Sequence, residues 1–126
     1  MTLIARFKVD SATPTTADGL DADWVGLLVF RKTFTSGIVG SATTLFMAAG
    51  TEEGSRSYVA TERIVGRTDD GRDGEVTVQH GGLESDPSTW FGHIVPKTGT
   101  GGFADWAGSA RIVHDDEGAS FEIDLT

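Results

Sequence analysis

The sequence predicts an all-β protein: a single eight-stranded antiparallel β-barrel with a central cavity, spanning residues 1–126. Three observations predict it. Apolar residues recur with a period of two, the mark of strands with one face toward a core. The 126 residues include 17 glycines against 3 prolines, as suits a chain that turns back on itself often. Turn signals then divide the apolar runs into strands of similar length. A two-sheet sandwich would satisfy the same pattern. The barrel is preferred because closure removes edge strands and eight strands leave room for a small ligand.

Leu3, Ala5, Phe7 and Val9 alternate with Arg6 and Lys8 in the first strand. Residues 11–23 lack periodicity and read as a loop or flap. Trp24 to Thr35 reads as a long strand, Ser36-Gly37 as its turn, and Ile38 to Ala49 as the return. The loop Thr51-Glu52-Glu53-Gly54-Ser55 precedes a strand from Ser57 to Val65. Asp69-Asp70-Gly71 and Asp73-Gly74 mark a hairpin into Val76–His80. Thr89 to Val95 forms the next strand, stopped by Pro96. Ser109 to His114 and Ala119 to Leu125 flank the turn Asp115-Asp116-Glu117-Gly118.

Composition narrows the function. The chain has no cysteine, which removes disulfides, thiolate metal sites and a cysteine nucleophile. Its three histidines show no metal-ligand spacing, so no metal and no cofactor are expected. Net charge is −9, which repels nucleic acid and anionic lipid. No apolar run approaches a membrane span, and the first residues lack a secretory pattern, so a cytoplasmic protein is expected. The run Thr98-Gly99-Thr100-Gly101-Gly102 lacks the Lys-Ser/Thr pair of a phosphate loop. No Gly-x-Ser-x-Gly elbow is present either.

Three segments carry a family resemblance: Lys32–Gly40, Tyr58–Gly66 continuing through Gly71-Arg72-Asp73-Gly74 to Gln79-His80, and Val95–Gly101 followed by Trp106-Ala107-Gly108. Together they resemble a family of small bacterial proteins of unassigned function with an allene oxide cyclase-like, calycin-like β-barrel. The resemblance implies an eight-stranded barrel with a central cavity and implies no activity. Members usually carry acidic residues in the turn occupied here by Ser36–Gly40, and a glutamate and leucine in place of Gly102-Phe103. The resemblance therefore implies a more apolar barrel mouth here than is usual.

Three residues are candidates for chemistry. Glu62 lies mid-strand in Tyr58-x-Ala60-x-Glu62-x-Ile64. Facing inward, it would be a carboxyl whose pKa burial raises, fit for general acid or base work. The structural alternative is a pair with Arg63, Arg72 or Arg111. Tyr58, the single tyrosine, shares the Glu62 face and could position a carbonyl or oxyanion. His80 follows Val76 and Val78 on the drier face of its strand and could shuttle protons. Trp24, Phe30, Phe46, Trp90, Phe91, His93, Phe103 and Trp106 are candidates to contact an apolar ligand, with Phe103 and Trp106 at the mouth.

These readings lead to two functional expectations. One is a cofactor-free cyclase or isomerase that folds an apolar substrate, polyketide-like or oxidised fatty acid-like, into a reactive shape. The alternative is a non-catalytic small-molecule carrier. Apolar residues on both faces of the strand from Trp24 also lead us to expect a homodimer.

Overall fold

The computed structural model describes residues 1–20 and 23–126. The strands are β1 (Thr2–Thr15), β2 (Gly26–Ser36), β3 (Ile38–Ala49), β4 (Ser57–Thr68), β5 (Asp73–Leu83), β6 (Phe91–Ile94), β7 (Thr100–Gly101), β8 (Gly108–Asp115) and β9 (Gly118–Leu125). The one helical element among the described residues is a 3-10 turn, Pro87–Thr89, capped by the Asp86 side chain.

All pairings are antiparallel. Strands β1 to β5 each pair with the next, β6 pairs with β8, β8 with β9, and β9 returns to β1. The result is a closed eight-stranded barrel. Strand β7 is extra, two residues laid on Gly74 and Glu75 of β5. The sequence pattern does not reveal it, since two glycine-flanked residues carry no period.

Inward parity selects the core. Ala5 and Phe7 of β1, Phe34 of β2, Ile38 and Ala42 of β3, Ile64 of β4, Val76 and Val78 of β5 and Phe121 and Ile123 of β9 are buried together. Phe7, Phe34 and Phe121 form an aromatic cluster with centroids 5.4–6.2 Å apart.

Two expectations about local structure are corrected. Residues 11–15 are not loop; they extend β1 to Thr15, paired with Leu27–Arg31 after a register shift between Val9 and Ser11. This stretch rises past β9, which pairs only with residues 2–7. Both its faces are exposed, so no apolar alternation announces it. Of the rest of the expected loop, Asp21 and Ala22 lie outside the described residues. Strand β2 starts at Gly26 rather than Trp24, and Trp24 is 68% exposed.

The second correction concerns Phe103 and Trp106. They do not line the mouth. They are buried and stacked at 4.0 Å in the segment after β7, which lies on Gly74 and Glu75 at the end opposite the mouth, with the Arg72 guanidinium 5.6 Å from the Trp106 ring centroid. The segment from β7 crosses directly against β5, with Gly102 N–H donating to the Asp73 carbonyl. The glycines on this path therefore bring an apolar plug under the barrel.

Candidate functional site

A cavity of about 530 Å³ opens at the barrel end formed by the start of β4 and the ends of β3, β5 and β8. Leu28, Phe46 and Ala48 line one side, and Ser57 and Tyr58 continue it on β4. Gly81, Trp90 and Phe91 follow, and Ile112 and His114 of β8 complete the wall. Strand β6 is short, so the wall is left open between β5 and β8 above Phe91. Arg56 and Glu84 stand at the rim, paired at 3.2 Å.

Trp90 sits where a side chain on Gly82 would point: a Cβ there would lie 2.5 Å from the Trp90 ring. Gly82 faces Tyr58 across the β4–β5 pair. The indole N–H donates to the Leu83 carbonyl at 2.6 Å, fixing the ring at the mouth. Glycine is required here for space and for its φ of +147°.

Beneath the cavity runs a chain of hydrogen bonds through the barrel interior. The Tyr58 hydroxyl meets His80 Nδ1 at 2.9 Å. His80 Nε2 meets Glu62 Oε1 at 2.9 Å. Lys32 Nζ donates to the same oxygen at 2.8 Å. The side chains of Lys32, Glu62 and His80 are at most 3% exposed. Register places them together. Ala60 faces His80 across β4–β5, so Tyr58 and Glu62 on either side are its diagonal neighbours.

The protonation pattern follows from the partners. Burial pushes the Glu62 carboxyl up and is the largest single influence. The His80 hydrogen bond, the Lys32 charge and the Lys32 hydrogen bond together outweigh it, so its pKa falls below the ordinary carboxylate value. This corrects the expectation of a raised pKa. An ionised carboxylate only accepts, so His80 must carry its proton on Nε2. In the neutral imidazole, Nδ1 is then left to accept the Tyr58 O–H. Burial, followed by the charge of Glu62, pushes the Tyr58 phenol up to about 12.

The partner of Glu62 is a lysine, not one of the three arginines considered. Lys32 was missed as a site residue because it lies beside Arg31 in a polar-looking dipeptide. Strand parity was the available signal: Leu28, Phe30, Lys32 and Phe34 share one face. Inside, the Lys32 ammonium also lies 4.5 Å from the Phe7 ring centroid and 5.4 Å from that of Phe121. Two buried oxygens, Glu62 Oε2 and Thr44 Oγ1, make no hydrogen bond within the described protein, and these residues face each other across β3–β4.

Of the expected ligand contacts, Phe46, Trp90 and Phe91 line the cavity. Phe30 supports Phe46 from behind, stacked at 4.8 Å. His93 points outward, opposite Gln79, and is exposed. Trp24, Phe103 and Trp106 are not among the lining residues. Among the described residues no three metal-ligating side chains gather, and no helix is long and apolar enough to cross a membrane.

The class defined here is a closed antiparallel barrel with a largely apolar cavity, rimmed by Arg56, Glu84, Arg111 and His114, in which the Tyr58 hydroxyl ends a buried ionic chain. The protein belongs to the DUF3224 family, described as proteins of unknown function, whose model matches residues 3–126. A crystal structure of a DUF3224 protein of unknown function from Shewanella oneidensis MR-1 has the same fold. Its TM-score is 0.80 and its identity 24%, over 100% of this chain and 97% of that one. No curated protein matches the chain.

Proposed function

We propose that the protein is a cofactor-free isomerase or cyclase acting on an apolar small molecule held in the barrel cavity, as the resemblance to allene oxide cyclase-like barrels suggests by analogy. The observation that carries this reading is the placement of Tyr58. Its hydroxyl joins the cavity to the buried His80–Glu62–Lys32 chain. A buried ion pair is a poor source of stability, because removing two charges from water costs about as much as their attraction returns. A chain of this kind at a cavity floor is better explained by proton transfer.

Tyr58 oxygen takes a proton from a carbon beside a substrate carbonyl, while its own proton passes to His80 Nδ1. The C–H electron pair becomes the enolate double bond, and the carbonyl oxygen takes the charge. Glu62 stabilises the imidazolium formed on His80, as a carboxylate does for any histidine base. Return of the proton to another carbon gives an isomer, and attack of the enolate on a second carbonyl closes a ring. Neither outcome needs an oxidant or reductant. The alternative, a non-catalytic carrier, uses the same cavity without the proton step.

The test is deuterium uptake. 2-Tetralone, a small ketone with an acidic C–H, is incubated with the protein in heavy water and followed by NMR. Uptake faster than in buffer, lost in Tyr58→Phe and Glu62→Gln, is expected. Binding without faster uptake would leave the carrier reading in its place.

We also propose a homodimer. Leu27 and Val29 lie on the outer face of β2, next to exposed Leu45 and Met47 of β3 and exposed Val59 of β4. This is an apolar stripe across three strands.

A further inference from the structure

We infer that the cavity takes a flat, conjugated molecule carrying an enol or phenol hydroxyl, rather than a flexible alkyl chain. The inference rests on the proposal that the cavity is a substrate site, and narrows the substrate class. Phe30, Phe46 and Tyr58 form a nearly parallel stack, with centroids 4.8 and 4.7 Å apart and planes 16° and 10° apart. Strands lie about 4.7–4.9 Å apart, so the stack runs from strand to strand. The rings therefore turn their edges, not their faces, toward the barrel interior. Aromatic edges carry partial positive charge and aromatic faces partial negative charge. A flat π-face laid across Phe46 and Tyr58 gains several edge-to-face contacts at once. An alkyl chain gains dispersion alone. The stacked rings hold one another in place, so the wall keeps this character without a bound ligand.

The hydroxyl requirement follows from the hydrogen-bond directions at Tyr58. With His80 neutral, the state the proposed proton step starts from, the Tyr58 O–H is directed to His80 Nδ1 at 2.9 Å, because Glu62 holds the single imidazole proton on Nε2. The phenol oxygen can then only accept from the cavity side, so the group that meets it must be a donor. A phenol, or the enol form of a ketone, supplies that donor in the resting complex, the C–H of the keto form meets the same oxygen in the proposed proton step, and the π-system supplies the face. A volume of about 530 Å³ suits a fused ring system.

Three probes separate the requirements: 2-naphthol, which is flat with a donor; 2-methoxynaphthalene, flat without a donor; and decan-1-ol, a donor on a flexible chain. Equilibrium dialysis against the intact protein should show 2-naphthol binding about tenfold more tightly than either of the others. Tyr58→Phe should abolish its advantage over 2-methoxynaphthalene, and Phe46→Leu should narrow its advantage over decan-1-ol. Equal or tighter binding of decan-1-ol would overturn the planar requirement. Equal binding of 2-methoxynaphthalene would overturn the donor requirement. If no probe binds, the substrate-site reading falls with the inference. If 2-naphthol binds as expected but 2-tetralone gains no deuterium, the isomerase reading falls while the ligand class stands.

Discussion

Tyr58 is the single tyrosine of the chain, so its ionisation can be followed by ultraviolet absorbance without interference from another phenol. The folded protein should show tyrosinate appearing near pH 12, against 10.0 for an ordinary phenol. In Glu62→Gln the charge contribution disappears and burial remains, so the midpoint should fall while staying above the ordinary value. Removing Glu62 also leaves the Lys32 ammonium buried without a counter-charge. Glu62→Gln should therefore lose about 3–5 kcal/mol in urea denaturation. Replacing both, Lys32→Met with Glu62→Leu, should recover most of that loss yet abolish deuterium uptake. A double variant as unstable as the single one would contradict this account of the pair. Tyr58, Glu62 and His80 were legible from strand parity and from polar residues set among apolar neighbours. Lys32 was legible by the same parity, but its polar context concealed it. The direction of the Glu62 shift was not legible, because it depends on partners 30 and 18 residues away.

At the scale of elements, the mouth depends on glycine. Gly82→Ala would force a Cβ against Trp90 in a backbone region that other residues avoid. A loss of about 1–3 kcal/mol is expected, together with a shift in tryptophan emission as the Trp90 ring moves. An unchanged spectrum would mean that Trp90 is not seated as described. The β2–β3 turn makes a comparable demand: Gly37 has φ +76°, and a Cβ there would lie 2.0 Å from the Ile4 carbonyl oxygen. Gly37 was readable as a turn residue, as were the Asp-rich turns before β5 and β9. The extension of β1 to Thr15 was not, because a strand exposed on both faces carries no apolar period. The plug formed by Phe103 and Trp106 was misplaced for a related reason. A glycine-rich segment says that the chain bends but not toward which end.

For the whole molecule, two measurements bear on assembly and stability. Light scattering after gel filtration should report a dimer, and Val59→Lys, in the apolar stripe of β2–β4, should give a monomer. A wild-type monomer would remove the dimer proposal. Stability should also depend on acid through Glu62. Its folded pKa lies below the ordinary 4.5, so its contribution is complete above that value and is lost as pH falls through the lowered one. Glu62→Gln should flatten that part of the stability curve. Tyr58 acts at the other extreme: its folded pKa is raised, so stability should hold below pH 10 and decline as pH rises toward about 12.

The alternation of apolar residues and the turn chemistry determined the all-β class, the eight principal strands and the drier face of β5. Those are local properties, written in neighbouring residues. Barrel closure decided the rest. It brought Lys32 of β2, Glu62 of β4 and His80 of β5 into one chain beneath the cavity. It also sent Phe103 and Trp106 to the far end and left Trp24 outside. Pairings between distant strands set these placements, and the period of a single strand carries no record of which strand will lie beside it.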